Sequence, residues 1–165
     1  MLDSLVAGRL DAVGEQVDQA WPGRCTVAGT GEAGGFAERA VAAVVDLFPV
    51  PDDPVLPEAT AFHSDGSTAL GLVENAGTAA GEWVLVEAAA GGAGSLLVQL
   101  ARAAAARVVG AAGGSRKLDL ARELGAEVVV GYTQPGWNEE VLHATGGSGA
   151  DVRPAPAVRS SPRSR

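Results

Sequence analysis

The sequence predicts an α/β protein, and the pattern of residues 82–147 carries this prediction. Short apolar runs, typical of buried parallel strands, alternate three times with stretches of helix-forming composition. Such an alternation builds strand–helix–strand units and a parallel sheet. The strands are predicted at 82–88 (EWVLVEA), 107–112 (RVVGAA) and 127–130 (EVVV), and the helices at 94–106 (GSLLVQLARAAAA), 115–124 (SRKLDLAREL) and 137–147 (WNEEVLHATGG).

Residues 1–52 have a different residue pattern and form a predicted first domain. Five glycines between Gly23 and Gly35 occur at turn-like spacing, which indicates short strands and turns, with a helix over Ala37–Val45 as the alternative. Within FPVPDDPVLPE, the prolines at 49, 51 and 54 then mark a boundary, because proline disfavours continuous helix. A helix is predicted at STALGLVENAG, with Asp65 or Ser67 as its cap and Gly77 as its end.

The parallel pattern stops near residue 152, which closes a predicted second domain over 53–152. ADV (150–152) begins as a fourth strand should, but Pro154 and Pro156 lack the N–H that a central strand needs. We therefore expect the strand at 82–88 to keep an unpaired edge, which is an aggregation hazard. The abrupt change of composition suggests a truncation or a frameshift. Residues 153–165 are predicted to be a disordered basic tail rich in Pro, Ser and Arg.

Composition and charge argue against several classes of function. No apolar run approaches the roughly 20 residues that span a bilayer, and the N-terminus makes a poor signal peptide. A single cysteine, Cys25, excludes an internal disulfide and a multi-cysteine zinc site. Residues 1–150 hold 8 bases against 19 acids, which argues against nucleic acid as a partner. We expect a cytoplasmic protein without a membrane partner.

A glycine-rich turn, EAAAGGAGS (87–95), lies between the first predicted strand and its helix. Turns in this position bind the pyrophosphate of a dinucleotide on backbone N–H groups at the positive end of the helix. Gly91 and Gly92 would let the backbone approach the phosphates, and Gly94 would let the helix pack on the strand. The motif is A-x-x-G-x-x-G, with Ala88 where a glycine is expected. A flexible Ala/Gly linker is the alternative interpretation.

The end of the second strand bears on which cofactor would bind. An enzyme that uses NAD places an acid there, on the ribose 2′-hydroxyl. The stretch here is AAGGSRK, which has no acid, and Ser115, Arg116 and Lys117 could hold a 2′-phosphate. The alternative is an ordinary exposed first turn of a helix, although cations are unfavourable at that end of the helix dipole. The sequence therefore predicts NADPH as the cofactor.

VLVEAAAGGAGSLLVQLARA, GGSRKLDLARELGAEVVV and ATGGSGADV resemble the zinc-independent quinone oxidoreductases, which include the zeta-crystallins, of the medium-chain dehydrogenase/reductase superfamily. PGRCTVAGTGEAGGFAERAV and DLFPVPDD resemble the end of that family's GroES-like domain. The resemblance implies a partial Rossmann domain preceded by a remnant of a GroES-like β domain. It implies three of the six Rossmann strands, and a chain that lacks most of the family's first domain and its subunit contact. A homodimer is implied only for a complete chain.

The resemblance also implies the roles of individual residues. Gly91, Gly92 and Ala93 match the pyrophosphate turn of the family, and Ser115 and Lys117 match its contacts with the 2′-phosphate. Tyr132 matches a tyrosine near the same phosphate, with an ordinary strand-end aromatic as the alternative. Thr68 matches a threonine beside the nicotinamide, with a plain helix-start threonine as the alternative.

The function implied is transfer of a hydride from NADPH to a quinone or an activated alkene. No catalytic residue is predicted. His63 and His143 are far apart in sequence and lack an acid cluster, so neither is a candidate ligand or catalyst. Three alternatives remain: an enoyl reductase acting on acyl thioesters, a non-catalytic remnant, and a structural Ala/Gly-rich domain without a ligand. The remnant would be either a nucleotide-binding module or a misfolded gene fragment.

Overall fold

The computed structural model describes residues 5–29, 35–51, 56–152 and 154. The chain divides into two compact units, an N-terminal unit of residues 1–64 and a C-terminal unit of residues 65–165. Our division into 1–52, 53–152 and 153–165 stays a proposal about domain borders, and its last segment, except for Pro154, lies outside the described residues. Among the described residues, no helix has the length and hydropathy needed to cross a bilayer.

The N-terminal unit contains a three-stranded antiparallel sheet, as its turn-rich sequence predicts. Its strands are β1 (Leu5–Arg9), β2 (Cys25–Gly29) and β3 (Leu47–Pro49), with β2 in the centre. The centre of β2, from Thr26 to Ala28, is buried. Helix α1 (Leu56–Ala61) follows and packs on the first two strands. This sheet confirms the predicted β part of the fold.

The alternative of a helix over Ala37–Val45 is wrong. This stretch forms bends followed by a single tight turn, Val44–Asp46. Val41 is 92% exposed and Val45 is 85% exposed, so these two apolar side chains are not buried against the described part of the unit. Short helices depend on such packing for their stability, because nucleation of an isolated helix is unfavourable.

The C-terminal unit contains the predicted parallel sheet, in the order β4–β5–β6. A wide helical turn over Phe62–Gly66 precedes it. The predicted α/β class with a Rossmann-like parallel sheet is confirmed. The strands are β4 (Trp83–Glu87), β5 (Arg107–Ala112) and β6 (Val128–Gly131), and the helices are α2 (Ser67–Ala76), α3 (Gly92–Ala103), α4 (Ser115–Glu123) and α5 (Trp137–Ala144).

Apolar side chains cover both faces of this sheet, which explains why its strands are nearly continuous apolar runs. Val84, Val86 and Val108 pack on one face with α3, and Trp83 and Leu85 pack on the other. Ala69 of α2 and Ala121 of α4 share the α3 face, and Val141 of α5 belongs to the opposite face. Each fully buried Val or Leu contributes about 1.5–3 kcal/mol, so these two layers dominate the stability of the unit.

The outer edge of β4 is paired, contrary to our expectation. Val152 forms a parallel bridge with Val84, and its carbonyl accepts a hydrogen bond from the Leu85 N–H at 3.0 Å. The carboxylate of Asp151 accepts a hydrogen bond from the Trp83 N–H at 2.9 Å. The predicted unpaired edge is therefore wrong at Trp83–Leu85, because residues 151–152 reach the edge before the prolines intervene.

Helix α3 begins and ends earlier than its sequence predicts. Gly92 and Ala93 are already helical, and the helix ends at Ala103 instead of residue 106. Its end is closed by Ala105, which has a φ of 59°, and by a 3.1 Å hydrogen bond from the Ala106 N–H to the Ala101 carbonyl. A left-handed residue followed by such a bond is a common way to end a helix. The sequence did not predict this helix end, because a left-handed residue after a helix is usually glycine and here it is one of a run of alanines.

An exposed ion pair joins the amino ends of β5 and β6. The guanidinium of Arg107 donates two hydrogen bonds to the Glu127 carboxylate, at 2.6 and 3.1 Å, and lies 3.9 Å from the centre of the Trp83 ring. The hydrogen bond from Arg107 lowers the pKa of Glu127 and raises the pKa of Arg107. Water screens this pair, so we assign it little stability. It lies at the end of the sheet opposite to the glycine-rich turn.

Two alanines have positive φ and offer a test of backbone strain. Ala88 has a φ of 51° and Ala105 a φ of 59°. Because the left-handed conformation disfavours any residue with a Cβ, we expect Ala88→Gly and Ala105→Gly each to raise the free energy of unfolding in urea by about 0.5–1 kcal/mol. Ala103→Gly, at the last helical residue of α3, is the control and should lower it by up to about 1 kcal/mol. A loss of stability in all three variants would contradict this interpretation.

Gly94 and Gly71 form a second matched pair. A Cβ on Gly94 would overlap the Ala88 carbonyl oxygen and stand 2.8 Å from the carbonyl carbon, whereas a Cβ on Gly71 would meet nothing within 4 Å. We expect Gly94→Ala to lower the free energy of unfolding by about 2–3 kcal/mol, since backbone must move. Gly71→Ala should raise it by about 0.5–1 kcal/mol through helix propensity. Equal effects in thermal or urea unfolding would refute the close packing of α3 on β4.

Candidate functional site

The turn between β4 and α3 is built around its glycines. Gly91 precedes the helix in an extended conformation and, having no side chain, supplies no cap to the first N–H groups of α3. The backbone of Gly91 and Gly92 is exposed. Uncapped N–H groups at a helix start, together with the helix dipole, attract an anion. The turn therefore has the backbone features that the pyrophosphate of a dinucleotide requires.

Close packing fixes this turn against the sheet. Gly94 is buried, and only a residue without a Cβ can stand so near the Ala88 carbonyl. Gly91 is also close, since its Cβ would lie 3.1 Å from the same oxygen. Ala89 is fully buried and donates a 3.0 Å hydrogen bond to the Ala111 carbonyl of β5. The predicted role of Gly94 in bringing the helix onto the strand agrees with this geometry.

A second turn follows β5 and carries the basic residues. Gly113 and Gly114 link β5 to α4, and Gly114 has a φ of 89°, which favours glycine. Ser115, Arg116 and Lys117 form the exposed first turn of α4, which contains no acid. Because β4 and β5 are parallel neighbours, this turn and the glycine-rich turn lie at the same carboxyl edge of the sheet.

Tyr132 lies beside the second turn, immediately after β6. A Cβ on Gly113 would stand 3.5 Å from a ring carbon of Tyr132 and 3.2 Å from the Thr133 methyl group. Tyr132 is 37% exposed, and its ring contacts that of Trp137 edge-on, with 6.5 Å between the ring centres. The structure thus brings Tyr132 to the same edge as Ser115 and Lys117, as a 2′-phosphate site would need.

Thr68 lies in the first turn of α2, and its side chain is exposed. Helix α2 packs beside α3, so this turn belongs to the same side of the sheet as the glycine-rich turn. Gly77 ends the helix with a φ of 62°, as its sequence predicts. The predicted cap is wrong: neither Asp65 nor Ser67 caps α2, because Gly66 before it is already helical.

Asp65 instead contacts the glycine-rich turn, and sequence reasoning missed this. A Cβ on Gly92 would overlap Oδ2 of Asp65 and stand 2.7 Å from its Cγ, so the carboxylate occupies the space above Gly92. The side chain is half-buried. No local pattern predicts this contact, because Asp65 and Gly92 lie 27 positions apart in the sequence. The only signal in the sequence is that Asp65 lies one helical turn before Thr68.

Other candidate residues lie elsewhere. The ring of His63 contacts that of Phe48 at 4.2 Å between centres, within the N-terminal unit. His143 is exposed near the end of α5, and Cys25 is a free, half-buried thiol of β2. Within the described ranges, no three His, Cys, Asp or Glu side chains converge as a metal-ligand group.

Comparison with known proteins agrees with this arrangement. A family model described as "Zinc-binding dehydrogenase" matches residues 92–153. A curated quinone oxidoreductase-like protein 2 homolog from Nematostella vectensis is 33% identical over 149 residues, which are 89% of this chain and 40% of the relative. The chain therefore spans less than half the length of that relative.

Two solved structures resemble the fold closely. A quinone oxidoreductase from Pseudomonas syringae pv. tomato is 31% identical with a TM-score of 0.81, and the match covers 89% of this chain and 46% of that one. A mycobacterial protein solved in complex with NADPH is 32% identical with a TM-score of 0.82, and the match covers 91% of this chain and 48% of that one. Sequence and fold together confirm the predicted resemblance to the quinone oxidoreductases of the medium-chain dehydrogenase/reductase superfamily.

Proposed function

We propose that the chain binds NADPH and contributes to an oxidoreductase that transfers hydride to a quinone or an activated alkene. One observation carries the proposal: the uncapped glycine-rich start of α3 and the acid-free, basic start of α4 lie at the same edge of the parallel sheet. The first suits a pyrophosphate and the second suits a 2′-phosphate. An acid at the end of β5 would have favoured NADH instead.

Each predicted site residue has a role in this proposal. The backbone N–H groups of Gly91, Gly92 and Ala93 bind the pyrophosphate. The Ser115 hydroxyl and the Lys117 ammonium bind the 2′-phosphate, with Arg116 on the same helical turn. Backbone N–H donors thus bind one phosphate group and side chains bind another. These two contacts together orient the dinucleotide along the sheet edge.

Two further residues complete the proposed site. Tyr132 flanks the 2′-phosphate, because its ring stands against the turn before Ser115. Thr68 contacts the nicotinamide end from the start of α2. When bound, the nicotinamide supplies the hydride, and the protein supplies position and electrostatics.

The relatives support the choice of substrate and cofactor. The Pseudomonas syringae protein is a quinone oxidoreductase, and the mycobacterial protein was solved in complex with NADPH. A 2-haloacrylate reductase, whose named substrate is an activated alkene, is 30% identical with a TM-score of 0.76. A small-molecule substrate, a cytoplasmic location, the absence of nucleic-acid and membrane partners, and a homodimer for a complete chain belong to the same proposal.

A non-catalytic nucleotide-binding module is the second candidate, because the two turns at the sheet edge would serve it equally well. The chain covers 40% of the Nematostella relative and 46% of the Pseudomonas structure. Oxidation of NADPH by a small quinone, measured with the purified chain, separates the candidates: turnover excludes the module. The same assay with an acyl thioester that carries a conjugated double bond tests the enoyl reductase alternative.

Lys117 provides the sharpest test of the cofactor. By calorimetry we expect the wild type to bind NADPH more tightly than NADH. Lys117→Ala should weaken NADPH binding about 10- to 100-fold, through loss of a charged hydrogen bond to the 2′-phosphate, and leave NADH binding unchanged. Arg122→Ala, in the last turn of the same helix, removes a charge away from the turn and should change neither affinity. An unchanged NADPH preference in Lys117→Ala would refute the assignment.

The wild-type protein allows a second experimental test of the same site. Lys117 is the only lysine in the chain, so an amine-selective acetylating reagent modifies it and the α-amino group alone. We expect NADPH to protect Lys117 from acetylation and NADH to protect it much less. The α-amino group is the internal control in the same mass spectrum. Equal protection of Lys117 by both nucleotides would place the 2′-phosphate elsewhere.

A further inference from the structure

We propose that Asp65 acts as a built-in competitor of the cofactor pyrophosphate and so determines how tightly the dinucleotide binds. This inference rests on the proposed cofactor site. Its observation is the position of the carboxylate: Oδ2 fills the place that a Cβ on Gly92 would take, and Cγ lies 2.7 Å from that place. An acidic side chain thus stands over the residue that begins α3, where the pyrophosphate binds.

Helix electrostatics explain why a carboxylate is stable there in the free protein. The start of α3 has no side-chain cap, so its N–H groups and the positive end of its dipole are available to an anion. Asp65 places a negative charge beside them and stabilises the helix start. The absence of a side chain at Gly92 leaves the room that this carboxylate needs.

The same charge opposes a second anion. Two like charges about 4 Å apart repel each other, and the repulsion is several times stronger near a protein surface than in bulk water. A pyrophosphate on the N–H groups of Gly92 and Ala93 would meet the Asp65 carboxylate at such a distance or displace it. Either outcome weakens binding. Because NADPH and NADH share the pyrophosphate, the effect is equal for both nucleotides.

The position of Asp65 is set by packing. It belongs to the wide helical turn Phe62–Gly66, which leads directly into α2. Helix α2 is held against α3 through the buried Ala69. The carboxylate is half-buried and so is restricted in moving away from Gly92. Removal of its charge should therefore be the simplest way to tighten binding.

Asp65→Asn tests the inference, because it keeps the shape of the side chain and removes the charge. By calorimetry we expect NADPH and NADH each to bind about tenfold more tightly than to the wild type, with their ratio unchanged. Without nucleotide, the midpoint of thermal unfolding should fall by about 1–4 °C, since the start of α3 loses its anion. Asp65→Ser is a second neutral variant with the same expectation for binding.

Glu74→Gln is the matched control. It removes one acidic charge from the exposed last turns of α2, about 13 Å along the helix from Asp65. We expect neither nucleotide affinity to change by more than about twofold, since water and salt screen a charge at that distance. A gain in Glu74→Gln as large as in Asp65→Asn would mean that net charge is the cause and would overturn the inference.

The outcomes separate this inference from the proposed function. If the wild type binds NADPH with the preference that depends on Lys117, but neither neutral variant binds more tightly, the competitor role fails and the cofactor site stands. Tightening for NADPH alone would also overturn the role, because the pyrophosphate is common to both nucleotides. If no variant binds either nucleotide, the cofactor site and the competitor role fail together.

Discussion

The close approach of α3 to the end of β4 is the constraint on which the rest of the C-terminal unit depends. Because Gly94 has no side chain, the first turn of α3 lies directly against the Ala88 carbonyl. This approach lets Leu97 and Val98, in the next turn, bury completely against the sheet. It also fixes the amino end of α3 at the carboxyl edge of the strands. Gly94 therefore allows close packing of the core and also positions the proposed anion site.

The turn that makes this approach stores backbone strain, and its neighbours hold it in place. Ala88 keeps a φ of 51° between the end of β4 and Ala89, whose N–H bonds to β5. A residue in the left-handed region persists where surrounding structure over-determines it. Glycine at this position would relieve the strain but would also loosen the unfolded chain. The turn is thus rigid because it is anchored on both sides, and a rigid turn keeps its N–H groups aligned.

The sequence predicted most of the C-terminal unit, because its signals are local. The strand at 107–112 has the predicted bounds, since a β-branched run stands between alanines that end one helix and glycines that precede the next. Tertiary contacts decided what was missed. The start of α3 at Gly92 depends on packing against Ala88, the pairing of Val152 depends on an open strand edge, and the contact between Asp65 and Gly92 joins distant segments. The alternative of a helix over residues 37–45 was wrong, because Val41 and Val45 are not packed against the described part of the unit.

In the proposed site, the turns after two different strands determine the affinity for the dinucleotide and the preference for NADPH. The turn after β4 meets the pyrophosphate, which NADPH and NADH share, so any charge there, including that of Asp65, changes both affinities together. The turn after β5 meets the 2′-phosphate, which only NADPH carries, so Lys117 changes preference. Because β4 and β5 are adjacent and parallel, the two functions lie at one edge of the sheet yet can vary independently. On this proposal, a chain as acidic as this one selects a highly charged cofactor through Ser115 and Lys117, while the Asp65 carboxylate limits how tightly that cofactor is held.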